Sequence, residues 1–396
     1  MKLAPTSRAP LAAAAGLLLA AGLGSRAWAG AQDKIYQKGA AEPVLAVITG
    51  ESIDEIKSAG GAEGAVSFPT RGVDRIDYAD RPFAFKDGEE KRKMGRYAEA
   101  IDLLGNAMRT DPRMCRQFWL LPGCRFQIAM CYLEDGSDMK TAKAKFEEFL
   151  ENHRDSRYLL DAYLGLGRVL FAAKDYDGAL TRFGSLAAEA VKKNWEEFMF
   201  LGYLWQGRTL MEQGKYDQAL DTVERVIKGA PPDKYGDIVI QAKTAKATIL
   251  VRQEKFDKAV ALFRELIKEI GPFVAREIAK ESEGSRDTRM QRTEAQCYNE
   301  LGQCYLLQGA KSGKKDDLRE ALLAFLWNVV LHSRLRAEYT EALFNAAVCF
   351  EKLGERPRAA ELRNELLKSF PESPQARKLG AASPAKSPEP RKESGK

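Results

Sequence analysis

From about Arg81 onward, apolar residues recur at helical spacing, and they do so inside a phrase that repeats. The phrase reads Lys174-Asp175-Tyr176-Asp177-Gly178-Ala179-Leu180, then Gly214-Lys215-Tyr216-Asp217-Gln218-Ala219-Leu220, then Glu254-Lys255-Phe256-Asp257-Lys258-Ala259-Val260. Its alanines, Ala179, Ala219 and Ala259, lie 40 residues apart, twice over. A turn, an aromatic and then a small residue within an apolar helix predict a helix–turn–helix unit, and a period of this length predicts a stack of them. Residues 30–79 follow another rhythm. Ile35-Tyr36, Val44 to Thr49, Ile53 to Ile56, Ala65 to Phe68 and Val73 to Tyr78 are short β-leaning runs. Breaks at Gly39, Gly50, Gly60 to Gly64 and Arg71-Gly72 separate them. Such spacing predicts a small antiparallel meander or barrel, SH3-like or Sm-like in look, packed on the first helices; the alternative is an irregular cap.

The helical phrase extends into seven sets of markers. The first holds Gly88, Gly95, Tyr97, Ala100, Leu104, Ala107 and Pro112; the second Ala129, Tyr132, Gly136, Ala142 and Phe146. The third has Leu166-Gly167, Tyr176, Ala179 and Phe183, the fourth Gly207, Gly214, Tyr216, Ala219 and Pro231. Then come Ala247, Phe256, Ala259 and Phe263; Leu301-Gly302, Tyr305, Ala321 and Phe325; and Ala347, Phe350, Gly354, Ala359 and Pro371. In this order the markers resemble the tetratricopeptide repeat (TPR). The resemblance implies a mainly α fold, a right-handed α-solenoid of about seven repeats behind the small β module. The family period is about 34 residues, whereas the marker alanines here step by 42, 37, 40, 40, 62 and 38. Longer helices or linkers are expected to absorb the excess. The longest step contains Phe273 to Arg292, read as a lengthened helix or a loop between subdomains.

The ends of the chain change the picture. Lys2 and Arg8, an apolar run from Leu11 to Leu23, and Ala27-Trp28-Ala29 have the layout of a secretory signal peptide over residues 1–29. The run is too short to span a membrane, which takes about 20 residues. Residues 80–376 form the expected solenoid, and 377–396, rich in Ser, Pro and Lys, a disordered basic tail. The net charge of +6 is concentrated at these ends. The signal segment carries three basic and no acidic residues, the tail six basic against two acidic. The body is nearly neutral, which argues against a nucleic-acid partner, since that needs a concentrated basic footprint.

Candidate chemistry is sparse. Cys124 and Cys131, like Cys297 and Cys304, are seven residues apart, about 10.5 Å along a helix and too far to bridge. With Cys349 they fall at repeat positions that the resemblance marks as small and buried, while Cys115 stands within reach of a bridge to Cys124. His153 and His332 sit at the ends of second helices, where the helix dipole suits them. No spacing suggests a metal set or a catalytic triad, so neither a cofactor nor an enzyme is expected. Gly309 to Lys315 fails as a phosphate loop, with one residue too few between its glycines and no Ser or Thr after the lysine.

The resemblance places function on the concave face, built from first helices. Its inward positions are Phe126, Leu164 and Leu204 at one level, Met130, Arg168 and Arg208 at a second, and Leu133, Phe171 and Met211 at a third. An apolar groove with two stacked arginines would suit a peptide bearing an acidic group; alternatively, the longer repeats rotate these residues into the core. The Lys and Asn clamp by which some family members hold a C-terminal carboxylate has no counterpart in the first five repeats. The expected role is a non-enzymatic exported scaffold in the periplasm or envelope, binding a protein or peptide. The alternative is a tether in which the β module and basic tail attach to cell wall or membrane surface.

Overall fold

The computed structural model describes residues 32–59, 66–281 and 289–382. The signal-peptide reading, the Gly60 to Gly64 break and most of the expected tail lie outside them.

Five strands open the fold: β1 (Asp33–Gln37), β2 (Val44–Glu51), β3 (Glu55–Ala59), β4 (Val66–Pro69) and β5 (Val73–Asp77). They form one antiparallel sheet in the order β4-β3-β2-β1-β5, so a four-strand meander is completed by β5 returning beside β1. Alternation puts Ile35, Ile48, Ile56, Phe68 and Ile76 on one buried face. The third strand starts later than its sequence suggests. Ser52 accepts hydrogen bonds from the amides of Asp54 and Glu55, turning the chain there, and Ile53 leaves the sheet to pack among the helices.

Fifteen helices follow. Seven pairs build the solenoid: α1 (Phe83–Lys93) with α2 (Tyr97–Ala107), α3 (Gln117–Asp135) with α4 (Met139–Asn152), α5 (Leu159–Ala172) with α6 (Tyr176–Lys192), and α7 (Glu196–Glu212) with α8 (Tyr216–Gly229). Then come α9 (Pro232–Arg252) with α10 (Phe256–Glu281), α11 (Arg289–Ser312) with α12 (Lys315–Leu331), and α13 (Arg336–Leu353) with α14 (Arg356–Ser369). A last helix, α15 (Pro374–Ala382), caps the stack. It runs into the segment expected as disordered tail, because Leu379 on it packs beside Leu343 and Leu366. The long alanine step resolves chiefly as a lengthened helix, α10.

The marker residues explain the pairing. All seven marker alanines are buried, from Ala100 to Ala359. Four residues on, Leu104, Phe146, Phe183, Val223, Phe263 and Phe325 are fully buried too. These side chains need an opening on the facing helix. A Cβ at Gly167 would stand 2.4 Å from the Phe183 ring, and one at Gly302 would stand 2.7 Å from Phe325. Glycine there permits the contact, and a fully buried Phe stabilises by about 2–3 kcal/mol. Turns are tight: Lys174, Gly214 and Glu254, the same position of successive repeats, all have left-handed backbone at φ 62°, 76° and 59°.

The sheet is fused to this stack. Its buried face shares one core with Phe85, Leu104, Trp119 and Leu120 of α1 to α3. Arg116, just before α3, donates to Asp33 Oδ1 at 2.6 Å, Asp80 Oδ1 at 2.9 Å and the Ile48 carbonyl at 2.6 Å. Asp33 is fully buried and also accepts from the amides of Ile48 and Ala79. Further along, Ile53 donates to the Asp155 carbonyl at 2.8 Å, Lys193 pairs with Asp54 at 2.7 Å, and Lys38 with Glu197 at 3.0 Å. The β1–β2 and β2–β3 connections thus touch the α4–α5 loop, the α6–α7 loop and the start of α7.

Candidate functional site

The first helices α3, α5 and α7 carry the residues singled out from the sequence, and the structure divides them. Phe126 is buried, stacked on Tyr158 at 4.8 Å and edge-on to Phe149 at 5.9 Å. Leu133 and Leu204 are buried as well, Leu204 completely. These three belong to the core and do not line an open groove: Phe126 and Leu133 pack with Phe146 and Phe149 of α4, and Leu204 with Val223 and Val226 of α8. Met130, Leu164 and Phe171 are part-buried against that same core, and Met211 against the next. Arg168 and Arg208 remain part-exposed.

Between the two arginines stands a residue the sequence reading missed, Trp205. The Arg168 guanidinium lies 5.8 Å from its ring centre and that of Arg208 lies 4.9 Å away. Trp205 in turn stacks on Phe183 at 5.5 Å and meets Phe171 edge-on at 5.6 Å. The signal was present: Trp205 and Arg208 are three apart on one helix and therefore share a face, and Arg168 occupies the register of Arg208 one repeat earlier.

The electrostatics of this shelf are unusual. Among the described residues neither guanidinium has a carboxylate at ion-pairing distance; Arg208 donates only to Gln241 Oε1, at a long 3.4 Å. Burial, with the charge of Arg168 adding to it, pushes Arg208 down to about 10. Burial also pulls Arg168 down, and the more distant Glu134 only partly offsets this. Two partly desolvated cations thus flank one indole, a chemistry that suits an anion beside an apolar group.

The later repeats hold a carboxylate shielded from water. Burial and the neighbouring Glu341 raise the Glu300 carboxyl to about 7, Arg252 opposing them. Here the polar groups serve one another. Asn328 Nδ2 donates to Asn299 Oδ1 at 2.7 Å and to the Ala295 carbonyl at 3.1 Å, and Asn299 Nδ2 donates to the Glu338 carbonyl at 3.1 Å. This knot ties α11, α12 and α13 together.

The remaining candidates are structural. All six cysteines are free and buried, and burial pushes Cys115, Cys124, Cys131, Cys297, Cys304 and Cys349 each up to about 12. His153 and His332 cap the C-terminal ends of α4 and α12. Among the described residues no three His, Cys, Asp or Glu side chains cluster as a metal set. No described helix is long and apolar enough to cross a membrane.

The family model described as "Tetratricopeptide repeat" matches residues 124–156, 161–190, 202–231 and 341–373. These segments fall on α3–α4, α5–α6, α7–α8 and α13–α14. The pairs left unmatched include α9–α10 and α11–α12, which hold the three longest helices. No curated protein sequence matches the chain. Similar solved structures include the apo quorum sensor NprR from B. thuringiensis, at 12% identity over 74% of this chain and 77% of that one, with a TM-score of 0.48. A tetratricopeptide repeat protein from Parabacteroides merdae is 13% identical over 76% and 97%, with a TM-score of 0.48. Apo RapI is 14% identical over 76% and 98%, with a TM-score of 0.49.

Proposed function

The chain is a tetratricopeptide-repeat protein, and we propose that it is a non-enzymatic scaffold that holds a protein or peptide partner on the first helices of its second to fourth repeats. The observation that carries this reading is the Arg168–Trp205–Arg208 shelf. A site that strands two cations without counterions suits a ligand that supplies one. A carboxylate takes both guanidiniums, and an apolar residue beside it takes the indole face and the exposed parts of Phe171 and Met211. The core position of Phe126, Leu133 and Leu204 narrows the contact to this shelf.

The compartment we propose is the periplasm or cell envelope, on the strength of the Lys2/Arg8, Leu11–Leu23 and Ala27-Trp28-Ala29 pattern. A mature chain starting at Gly30 in the exported fraction supports it, and an uncleaved chain in the cytoplasmic fraction overturns it.

The shelf is tested by Arg168→Glu with Arg208→Glu. Cross-linking in the native envelope is expected to lose the trapped partner while the variant keeps its helical circular dichroism. If every partner stays, the shelf is not the site.

A further inference from the structure

A cavity of about 650 Å³ opens on the seam between sheet and solenoid. It is walled on one side by the end of β5 and on the other by α1, with the start of α5 behind. That volume lies in the usual range for a small-ligand site, about 300–1,000 Å³. Its lining is aromatic and cationic. Tyr78 and Trp119 form a parallel stack at 4.1 Å, and Phe85 closes on Trp119 edge-on at 5.3 Å. Phe83, on the rim, is 81% exposed, although it is a large apolar side chain at the start of a helix.

Arg157 is the deep cation. Its guanidinium lies 4.7 Å from the Tyr158 ring centre and donates to the Tyr158 hydroxyl at 3.0 Å. Its carboxylate neighbour, Glu51, stands 3.7 Å off and is itself engaged by the Tyr78 hydroxyl. A guanidinium has five N–H donors, and the Arg157 side chain, 17% exposed, lines the cavity. The other charges there differ in their commitments. Arg81 is taken up by Asp77 at 2.9 Å and Glu89 at 3.4 Å, while Arg75 pairs with Asp77 at 3.4 Å. Glu89, held by Arg81, adds a carboxylate to the cavity wall. Exposed Lys86 and Lys93 add positive charge at the mouth, and Glu90 faces them.

We propose that this seam cavity is a binding site for an aromatic carboxylate, its carboxylate on Arg157 and its ring against the exposed Phe83, with the buried Tyr78–Trp119 stack as the floor. Lys86 draws the acid in. The chemistry is shared by a free aryl acid and by the end of a peptide terminating in phenylalanine. None of these residues belongs to the Arg168–Trp205–Arg208 shelf, so the site stands or falls separately from the scaffold reading.

Calorimetric titration of the full chain tests it, with 3-phenylpropionate, its alcohol 3-phenylpropanol, and a short peptide ending in phenylalanine as free acid. Saturable binding of at least one acid, about tenfold or more tighter than the alcohol, is expected. The tighter of the two acids identifies the source. Arg157→Gln is expected to abolish binding. Should that variant fail to fold, Phe83→Ala with Lys86→Glu, both on the exposed rim, is expected to weaken binding about tenfold. Equal binding of acid and alcohol, no binding of either acid at about 10 mM, or a rim double variant that binds like the parent overturns the proposal.

Discussion

Arg116 at the seam and the Arg168–Arg208 pair on the shelf are the same residue type in two opposite conditions. The donors of Arg116 end on Asp33, Asp80 and a backbone carbonyl, and the last lone pairs of Asp33 are filled by two amides. The donors of the shelf pair end on one distant amide oxygen. Both sites remove charge from water. Only the first recovers the cost inside the chain, so it acts as architecture, whereas the second leaves most of it unrecovered among the described residues.

The contrast breaks most visibly at the seam. Arg116→Met leaves the buried Asp33 carboxylate without its counterion and is expected to cost about 3–5 kcal/mol in urea unfolding. A loss below about 1 kcal/mol would mean that the sheet is held by its apolar face alone.

Glu300 is the carboxylate counterpart of the shelf, a buried charge without a close partner. Its carboxyl is raised from 4.5 to about 7, so the fold favours the neutral acid. That stability is complete at low pH and is lost as pH rises through about 7. Glu300→Gln should therefore gain about 1–2 kcal/mol at pH 8 and nothing at pH 4, read as Tm against pH. A gain of the same size at both pH values would place the effect elsewhere.

The shelf should respond in the direction opposite to the seam. Arg168→Met with Arg208→Met removes two poorly compensated cations and keeps their apolar stems, so stability should hold or rise by about 1 kcal/mol. A loss as large as that of Arg116→Met would erase the distinction. The smallest effect belongs to a turn. Lys174 has the left-handed backbone that Gly214 adopts one repeat later, and Lys174→Gly should add about 0.5–1 kcal/mol in thermal unfolding.

Much of the helical fold was legible because its signals are local. A turn, an aromatic and an alanine at fixed spacing announce a helix pair, and the seven marker alanines are all buried. The five strands were legible by alternation. What did not show were contacts whose partners lie far apart. Asp33 and Arg116 are 83 residues apart, and nothing in either segment points to the other. Ile53 reads as a strand residue yet serves as a peg in the helical core. On the shelf, a repeat register shows which residues stand side by side, but not which of them the second helices cover. Arg168 and Arg208 stayed accessible, while Leu204 beside them is buried with Val223 and Val226.

The sheet's grip on the loops at Asp155, Lys193 and Glu197 has a mechanical consequence. A solenoid bends by small rotations between neighbouring repeats. Where the sheet bridges successive repeats, its contacts add resistance to those rotations within the first four repeats. Beyond them, α9 carries a non-helical kink at Tyr235 and the later repeats have no such bridge among the described residues. The fold therefore resembles callipers with one arm braced, and bending is expected chiefly in the arm beyond the kink.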